Sequence, residues 1–223
     1  KSNLPLPPRE LYEPEAYILN LGGKRIRPLL SLIACDLFGE DAKEALASAL
    51  SVELFHNFSL IHDDILDNAK LRRNKETVHE KWNTNIAILA GDVMLVKASS
   101  VLERYPSGTQ RKLTSVFNRT AITVCEGQQM DMNFEKAFSV SPKEYVDMIS
   151  RKTAALIACS LKMGAICAGA KAAHQNSIYK FGIHLGIAFQ LMDDILDLYS
   201  ESSVNGKVTG GDVMAGKKTI LLL

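Results

Sequence analysis

The sequence predicts an all-α protein, and three observations support this fold class. Almost every stretch between turns that contain glycine or proline has its apolar residues at helical spacing, whereas no run alternates like a half-buried strand. Several segments are apolar nearly all round, which is typical of helices buried among other helices. Apolar residues make up 47% and charged residues 23% of the 223 residues, which allows a substantial core. We therefore expect one domain over 1–223, built from long packed helices.

Each helix has recognisable boundary signals. A proline-rich segment, LPLPPRE, precedes the first helix, and the Gly-Gly pair at 22–23 closes it. Pro28 suits the first turn of the second helix, and Asp41 suits the N-cap of the third. A small-xxx-small step at Gly182 and Gly186 predicts close helix packing rather than a functional site. The predicted helices span 10–21, 28–38, 42–68, 84–105, 110–133, 142–170 and 175–200.

Composition excludes some classes of function. The net charge of +1 gives no basis for nucleic-acid binding through overall charge. The four cysteines lack CxxC spacing and lie in apolar context, so we expect buried thiols rather than disulfides or a zinc site; they are Cys35, Cys125, Cys159 and Cys167. No signal peptide or uninterrupted apolar run of 18 residues is present, which predicts a cytoplasmic protein without a membrane span. The chain stops in ILLL without a helix cap, so we expect the protein to continue beyond Leu223.

The pentapeptide Asp-Asp-Ile-Leu-Asp occurs twice, at 63–67 and at 193–197. With 12 aspartates in 223 residues, composition alone predicts about 0.03 copies of DDxxD per chain. On a helix the first and last aspartates of each copy share a face. Carboxylates that face an interior are costly unless they bind cations, and Mg²⁺ prefers carboxylate and phosphate oxygens. The two copies, here called the first and second aspartate segments, therefore predict a magnesium and phosphate site across a cleft.

Basic residues supply the complement to these carboxylates. The segment GGKRIRP at 22–28 places three cations on a glycine-rich turn that enters a helix, which suits an anion. Arg72 and Arg73 follow the first aspartate segment by five residues, and guanidinium forks suit diphosphate oxygens. Lys207 and Lys217 flank a Gly-Gly pair after the second segment. Together these groups predict a site for two phosphorylated ligands.

On these motifs the chain resembles the trans-isoprenyl diphosphate synthases, the farnesyl and geranylgeranyl diphosphate synthase family. The matching pieces follow the family order: GGKRIRP at 22–28, HNFSLIHDDILD at 56–67, LRRNKETVH at 71–79, LAGD at 89–92, EGQ at 126–128, RKT at 151–153, FQLMDDILD at 189–197 and GKVTGGDVMAGKKT at 206–219. Asn74 stands where the family commonly has glycine, a difference that we expect to be harmless. The resemblance implies the isoprenoid synthase fold, a helical bundle around a central cavity, and a homodimer that uses apolar faces in 84–133. Because family members are longer, it also implies that C-terminal helices of the full-length protein are absent here.

The resemblance assigns roles residue by residue. Three Mg²⁺ would be bound by Asp63, Asp67 and Asp193, supported by Asp64, Asp194 and Asp197. The allylic diphosphate (dimethylallyl, geranyl or farnesyl) would contact Arg72, Lys152, Lys207 and Lys217. Isopentenyl diphosphate would be held by Lys24, Arg27, His56 and Arg73. Thr153 and Gln190 would polarise the developing carbocation, which the double bond of isopentenyl diphosphate then attacks.

Three other functions share some of these sequence features. The E-x-x-H pairs at 53–56 and 76–79 are typical of di-iron carboxylate bundles, but the second pair lies among arginines and lysine that would repel iron. A class I terpene cyclase shares the first aspartate segment, yet it would lack GGKRIRP and usually carries a different second metal motif. A regulatory synthase subunit would have eroded aspartate segments, and both are intact here.

Product length depends on the residues one turn below Asp63. Phe58 lies five positions earlier, about 7.5 Å lower along a helix axis, where its ring would form a floor; Ser59 beside it is small. One aromatic at the deeper position most resembles geranylgeranyl diphosphate synthases, so we favour a C20 product, with C15 next and C25 third. The alternative is that Phe58 only packs between helices. If Phe58 is not the floor, Phe55 or the facing helix around Ile88 would be.

Overall fold

The computed structural model describes residues 8–199 and 218–223, and helices account for nearly all of the regular structure in them. The α-helices are α1 Arg9–Asn20, α2 Ile26–Leu37, α3 Leu46–Leu66, α4 Val78–Lys81, α5 Thr84–Ser100, α6 Ser107–Lys136, α7 Pro142–Ile149, α8 Ala155–Cys167 and α9 Ala172–Tyr199. Short 3₁₀ turns at Ala42–Ala45 and Val101–Arg104 and a π-helical segment at Ser150–Ala154 join some of them. The all-α prediction is confirmed.

The predicted helices are present, but three of them are not continuous. The segment predicted over 84–105 is divided into α5 and the 3₁₀ turn Val101–Arg104. The segment predicted over 42–68 begins as the first 3₁₀ turn, whose N-cap is Asp41 with its side chain accepting from the Lys43 backbone N–H at 2.9 Å. The segment predicted over 142–170 is divided into α7, the π-helical segment and α8. Apolar periodicity does not distinguish these forms, because a one-residue change of hydrogen-bond register leaves the apolar content unchanged.

A short antiparallel ribbon between α3 and α4 was not predicted. It pairs β1, Leu71–Arg72, with β2, Lys75–Glu76. The two turn residues, Arg73 and Asn74, have φ of 52° and 60°, as a type I′ hairpin turn requires. Asparagine tolerates this left-handed conformation better than most residues, which explains how it can replace glycine at 74.

Helix α8 forms the centre of the bundle and packs against α2, α3, α6 and α9. Nearly all of its residues are buried, as its apolar composition predicts. Its contact with α9 depends on the two small residues of α9. A Cβ added at Gly182 would lie 2.5 Å from the Ala158 Cα, and one at Gly186 would lie 2.4 Å from the Ala154 Cα. The prediction that these glycines serve close packing is confirmed.

The prediction that the cysteines are free thiols is confirmed, but the predicted burial is wrong for Cys125. All four cysteines are free, and Cys35 and Cys159 are buried. Cys125, however, is exposed, because α6 turns Val124 and Gly127 towards the interior instead.

Candidate active site

The first aspartate segment forms the C-terminal end of α3. Asn68, with φ of 50°, ends the helix, and the Ala69 N–H reaches back to the Asp64 carbonyl at 2.9 Å, as in a Schellman motif. The end of a helix carries partial negative charge, so carboxylates there are unfavourable unless cations compensate them. The backbone itself therefore favours cation binding at this position.

The two adjacent aspartates of this segment have different environments. Asp64 is only 2% exposed and accepts two hydrogen bonds of 2.8 Å from the Arg72 guanidinium, one to each carboxylate oxygen. Asp63 is half-buried, and burial raises its pKa, with the charges of Asp67 and Asp64 adding to the effect and Lys152 opposing it. Asp64 thus holds the arginine, whereas Asp63 and Asp67 form a cluster that a cation would stabilise.

The second aspartate segment lies in the last two described turns of α9 and has a similar division. Asp194 is 4% exposed, accepts a hydrogen bond from the Tyr145 hydroxyl, and accepts another from the Gln190 Nε2 at 3.0 Å. Asp193 is exposed and Asp197 is half-buried. Tyr145, which no sequence motif indicated, therefore positions the buried carboxylate of this segment.

The π-helical segment links the two aspartate segments. The Thr153 hydroxyl donates to Gln190 Oε1 at 2.9 Å, and Gln190 in turn holds Asp194. The neighbouring Lys152 ammonium lies 2.5 Å from Asp131 of α6 and close enough to Asp63 to oppose its pKa shift. Two adjacent residues of one π-helical turn thus contact opposite parts of the site.

The predicted residues of the second diphosphate site form a cationic cluster. An Arg27 guanidinium nitrogen lies 3.2 Å from the His56 Nε2, and burial lowers the pKa of Arg27 to about 10. The pKa of His56 is well below its ordinary value, first because of burial and then because of four nearby arginines. Within the described residues, the buried Arg27 Nε lacks a hydrogen-bond acceptor. A buried, incompletely paired cation beside a neutral histidine suits an anionic ligand.

The glycine pair and the hairpin bring a further arginine to this cluster. The Arg73 guanidinium donates to the Gly22 carbonyl, and a Cβ at Gly23 would lie 2.8 Å from it. Gly23 has φ of 126°, so only glycine fits both the backbone and the space. Lys24 is exposed beside them. The described structure therefore gathers all four predicted residues near the start of α2.

Glu53 is a further component of this site, and in the sequence it appears only as half of an E-x-x-H pair. It accepts from the Arg25 guanidinium and, at 2.9 Å, from the Asn57 amide, and its charge favours the protonated form of Arg27. Arg25 has φ of 50° and also donates to the Leu19 carbonyl, so the salt bridge holds the turn that begins α2. The E-x-x-H spacing was the available signal, because it places Glu53 one helical turn before His56.

The di-iron alternative is inconsistent with this geometry. Glu76 lies in β2 and His79 in α4, so the second pair does not share one helix. Across the described ranges, no three histidine, cysteine, aspartate or glutamate side chains form a metal site by themselves. Mg²⁺ commonly takes only one or two carboxylates and completes its shell with phosphate oxygens and water.

Other predicted site residues lie around these centres or outside the described ranges. Phe58 is buried, and Ser59 donates to the His56 carbonyl at 2.9 Å. Lys207 and Lys217 lie outside the described residues.

Comparison with known proteins gives a consistent family. The family model described as polyprenyl synthetase matches residues 8–223. Geranylgeranyl diphosphate synthases from Sulfolobus acidocaldarius and Methanosarcina mazei are 43% and 40% identical to the chain over 96% and 97% of its length. The chain covers 66% and 67% of those relatives, so it spans about two thirds of their length.

A solved structure agrees with the sequence relatives. A crystal structure of geranylgeranyl pyrophosphate synthase superposes with a TM-score of 0.96 at 51% identity, covering 99% of this chain and 67% of that one. The matched helices include those that carry both aspartate segments, since the alignment covers nearly the whole chain. The chain therefore belongs to the polyprenyl synthetase family, the trans-isoprenyl diphosphate synthases.

Proposed function

We propose that the protein is a prenyltransferase that condenses an allylic diphosphate with isopentenyl diphosphate, head to tail, to give the C20 product. The observation that carries the proposal is that the β1–β2 hairpin reaches two different regions suited to a diphosphate. Its Arg72 pairs with Asp64 of the first aspartate segment, and its Arg73 donates to the Gly22 carbonyl in the basic turn. Carboxylates at helix ends suit a metal-bound diphosphate, whereas Arg27 and His56 suit a second anion directly. The named relatives are geranylgeranyl diphosphate synthases, which supports the C20 choice.

The carboxylate oxygens of the two aspartate segments are suitable ligands for Mg²⁺. Asp63 has a raised pKa because it is buried near like charges, and a hard cation would remove that cost. We assign Asp63, Asp67 and Asp193 to three Mg²⁺, and the better partnered Asp64 and Asp194, with Asp197, to their support. Bound Mg²⁺ would neutralise charge on the leaving diphosphate.

The chain's own cations complete the allylic site. Arg72 is oriented by its two hydrogen bonds to Asp64, so its remaining N–H groups can face a diphosphate oxygen. Lys152 is held by Asp131 near Asp63 and would contact the same ligand. Lys207 and Lys217 remain assigned to this diphosphate by resemblance.

The second diphosphate is that of isopentenyl diphosphate. Arg27 would gain from such a ligand, because burial disfavours its charge and its Nε has no hydrogen-bond acceptor among the described residues. Neutral His56 would donate or accept a hydrogen bond without adding charge, while Lys24 and Arg73 close the site from the turn and the hairpin.

The reacting carbons would meet beside the π-helical segment. Gln190 donates its amide N–H to Asp194 and accepts from Thr153, so its carbonyl oxygen has a fixed direction. That oxygen and the Thr153 hydroxyl would stabilise the allylic cation as the C–O bond breaks. The double bond of isopentenyl diphosphate then attacks C1, and the proton passes to the departing diphosphate, so no side-chain nucleophile is needed.

The proposed function also includes a limit on product length and a homodimeric assembly. Phe58 would end the cavity at C20, with small Ser59 leaving space beside it. A homodimer would bury exposed apolar residues of α5 and α6, namely Ile88, Leu89, Val96 and Ile122. The four free thiols favour a reducing compartment, the cytoplasm.

One described segment, Thr84–Arg104, is long and apolar enough to cross a membrane by length and composition alone. Its helix α5 packs against α1 and α3, as a core helix of a bundle does. We therefore assign it to the bundle and propose no membrane or nucleic-acid partner.

The proposal is tested by product analysis. Full-length protein is incubated with dimethylallyl, geranyl or farnesyl diphosphate, labelled isopentenyl diphosphate and Mg²⁺, and the extracted products are identified by mass spectrometry. We expect geranylgeranyl diphosphate. Consumption of the allylic substrate without incorporation of label would instead indicate a terpene cyclase, and would overturn the proposal.

A further inference from the structure

Four aromatic rings form a connected series, here called the aromatic layer, that runs along α3 up to the first aspartate segment and reaches α6. Phe117 of α6 meets Phe55 edge-on, with ring centroids 5.6 Å apart. Phe55 meets Phe58 in a tilted arrangement at 5.4 Å, and Phe58 meets His62 edge-on at 4.7 Å. Aromatic pairs at these separations are attractive, so the layer is a connected unit.

Helix α5 fixes the last ring of this layer. The His62 Nε2 lies 3.3 Å from the Ile88 carbonyl oxygen and 3.8 Å from the Asp92 carboxylate. A Cβ added at Gly91 would lie 2.4 Å from that nitrogen and 2.6 Å from the neighbouring ring carbon. The imidazole therefore occupies space that exists only because residue 91 is glycine.

This arrangement restricts the ring that we place at the end of the product cavity. Phe58 has a ring on each side, Phe55 towards the start of α3 and His62 one turn further along. Phe55 is fully buried and cannot move aside, so the freedom of Phe58 depends on His62. His62 also directly precedes Asp63, which couples the position of the layer to that of a metal-binding carboxylate.

We propose that His62, seated against Gly91, is a positioning residue that holds the Phe58 ring and so helps to limit the length of the prenyl product. The inference deepens the proposed prenyltransferase function and rests on it. His62 does not touch the reacting atoms; it acts through Phe58.

A double-mutant comparison tests whether His62 acts through Phe58. Products of the wild type, His62→Ala, Phe58→Ala and the double variant are separated by chain length under identical substrate ratios. We expect each single variant to extend the main product by at least one isoprene unit. The double variant should make the same products as Phe58→Ala, because His62 acts only by holding that ring.

His174→Ala is the matched control. His174 also stacks on a phenylalanine, Phe38, with centroids 5.9 Å apart, but this pair joins α9 to the end of α2 away from the layer. It should leave product length unchanged. If His62→Ala does not fold, His62→Gln replaces it, since glutamine keeps an amide near the Ile88 carbonyl but has no ring.

The outcomes separate this inference from the function on which it rests. An absence of any elongated product from the wild type would overturn the proposed function. Elongation to C20 by the wild type, with longer products from Phe58→Ala but unchanged products from both His62 variants, would overturn only the positioning role. A further extension in the double variant beyond Phe58→Ala would show that His62 acts independently of Phe58, and would also overturn it.

Discussion

Each aspartate segment has one buried and one more accessible carboxylate at adjacent positions. Asp64 and Asp194 are held by neighbouring side chains, whereas Asp63 and Asp193 are turned towards a less enclosed environment. A carboxylate that already accepts two hydrogen bonds contributes to positioning, and its neighbour is better placed to bind a cation. We propose that the tandem Asp-Asp pair combines both tasks.

Removing an accessible aspartate should reduce turnover far more than it reduces stability. Asp63→Ala or Asp193→Ala should lower kcat by roughly two to three orders of magnitude, because the lost ligand acts mainly as the diphosphate departs. Steady-state assays across a Mg²⁺ titration measure the effect. Asp36→Ala, an exposed aspartate on α2, is the control and should be neutral. Near-normal turnover of Asp193→Ala at physiological Mg²⁺ would contradict the metal assignment.

The buried His56 should make the protein less stable in mild acid. Its pKa is lowered in the folded protein by burial and nearby arginines, so the unfolded chain binds more protons below the ordinary value of 6.5. This contribution to the free energy of unfolding is fully present above that pH and is lost as the pH falls towards the folded-state pKa. Denaturant unfolding of the wild type and His56→Gln between pH 7.5 and 5 measures it, with the variant losing less stability. Parallel pH profiles would contradict the prediction.

Glu53 should matter through its charge as well as its hydrogen bonds. Glu53→Gln keeps an acceptor for Arg25 but removes the carboxylate that compensates Arg27, so we expect a loss of about 1–3 kcal/mol in the free energy of unfolding. Added inorganic diphosphate should raise the Tm of this variant more than that of the wild type, because the anion replaces the lost charge.

The control is Glu15→Gln, which removes another buried carboxylate, one paired at 2.6 Å with Lys97 away from the site. It should be destabilised without the additional gain from diphosphate. Equal gains in the two variants would show that Glu53 has no special relation to the anion site.

At the scale of elements, the π-helical segment depends on one glycine of the facing helix. A Cβ added at Gly127 of α6 would lie 2.3 Å from the Lys152 backbone nitrogen. Backbone cannot yield as a flexible side chain can, so α6 approaches this segment only with glycine at 127. The EGQ motif therefore supports the site through packing.

Gly127→Ala should destabilise the protein by about 1–3 kcal/mol and also lower kcat, because Lys152 and Thr153 must shift with the backbone. Gly108→Ala is matched to it: the same substitution in the same helix, with no atom within 4 Å of the new Cβ. Its effect should be neutral or stabilising by up to about 1 kcal/mol. Thermal unfolding measures the stability of both variants, and steady-state assays measure their kcat. Similar results for the two variants would contradict the packing argument.

At the scale of the whole molecule, α5 and α6 each carry large apolar side chains that the described residues leave exposed. Leu89, Val96 and Ile122 are 57%, 64% and 61% exposed. The homodimer that we propose would remove these side chains from water.

Val96→Glu should convert the proposed dimer to a monomer, since a buried unpaired carboxylate strongly opposes association. Sedimentation at micromolar concentration measures the change. Phe138→Glu is the control: Phe138 is more exposed than Val96 and lies outside α5 and α6, so this substitution should leave the assembly intact. A wild-type monomer under these conditions would contradict the dimer itself.

The sequence by itself determined the fold class, the family and the chemical types at the site. Apolar periodicity is a local property, and it located most of the long helices to within a few residues. It nevertheless joined α7 and α8 into one predicted segment and extended α5 to residue 105. The duplicated aspartate segment and the basic turn are likewise visible in the chain, because the residue types needed for metal and diphosphate chemistry do not depend on packing. The apposition of the two segments across a cavity and the single domain remain predictions.

Only the tertiary structure decided how those residues are partnered. The role of Tyr145 beside Asp194, of Glu53 among arginines, and of Gly91 beneath His62 each depends on contacts between helices that are distant in sequence. The break between α7 and α8 at the π-helical segment, which α6 approaches closely at Lys152, is likewise visible only in the structure. Such contacts follow from the shapes of packed surfaces, which depend on many side chains at once, and no local pattern encodes them.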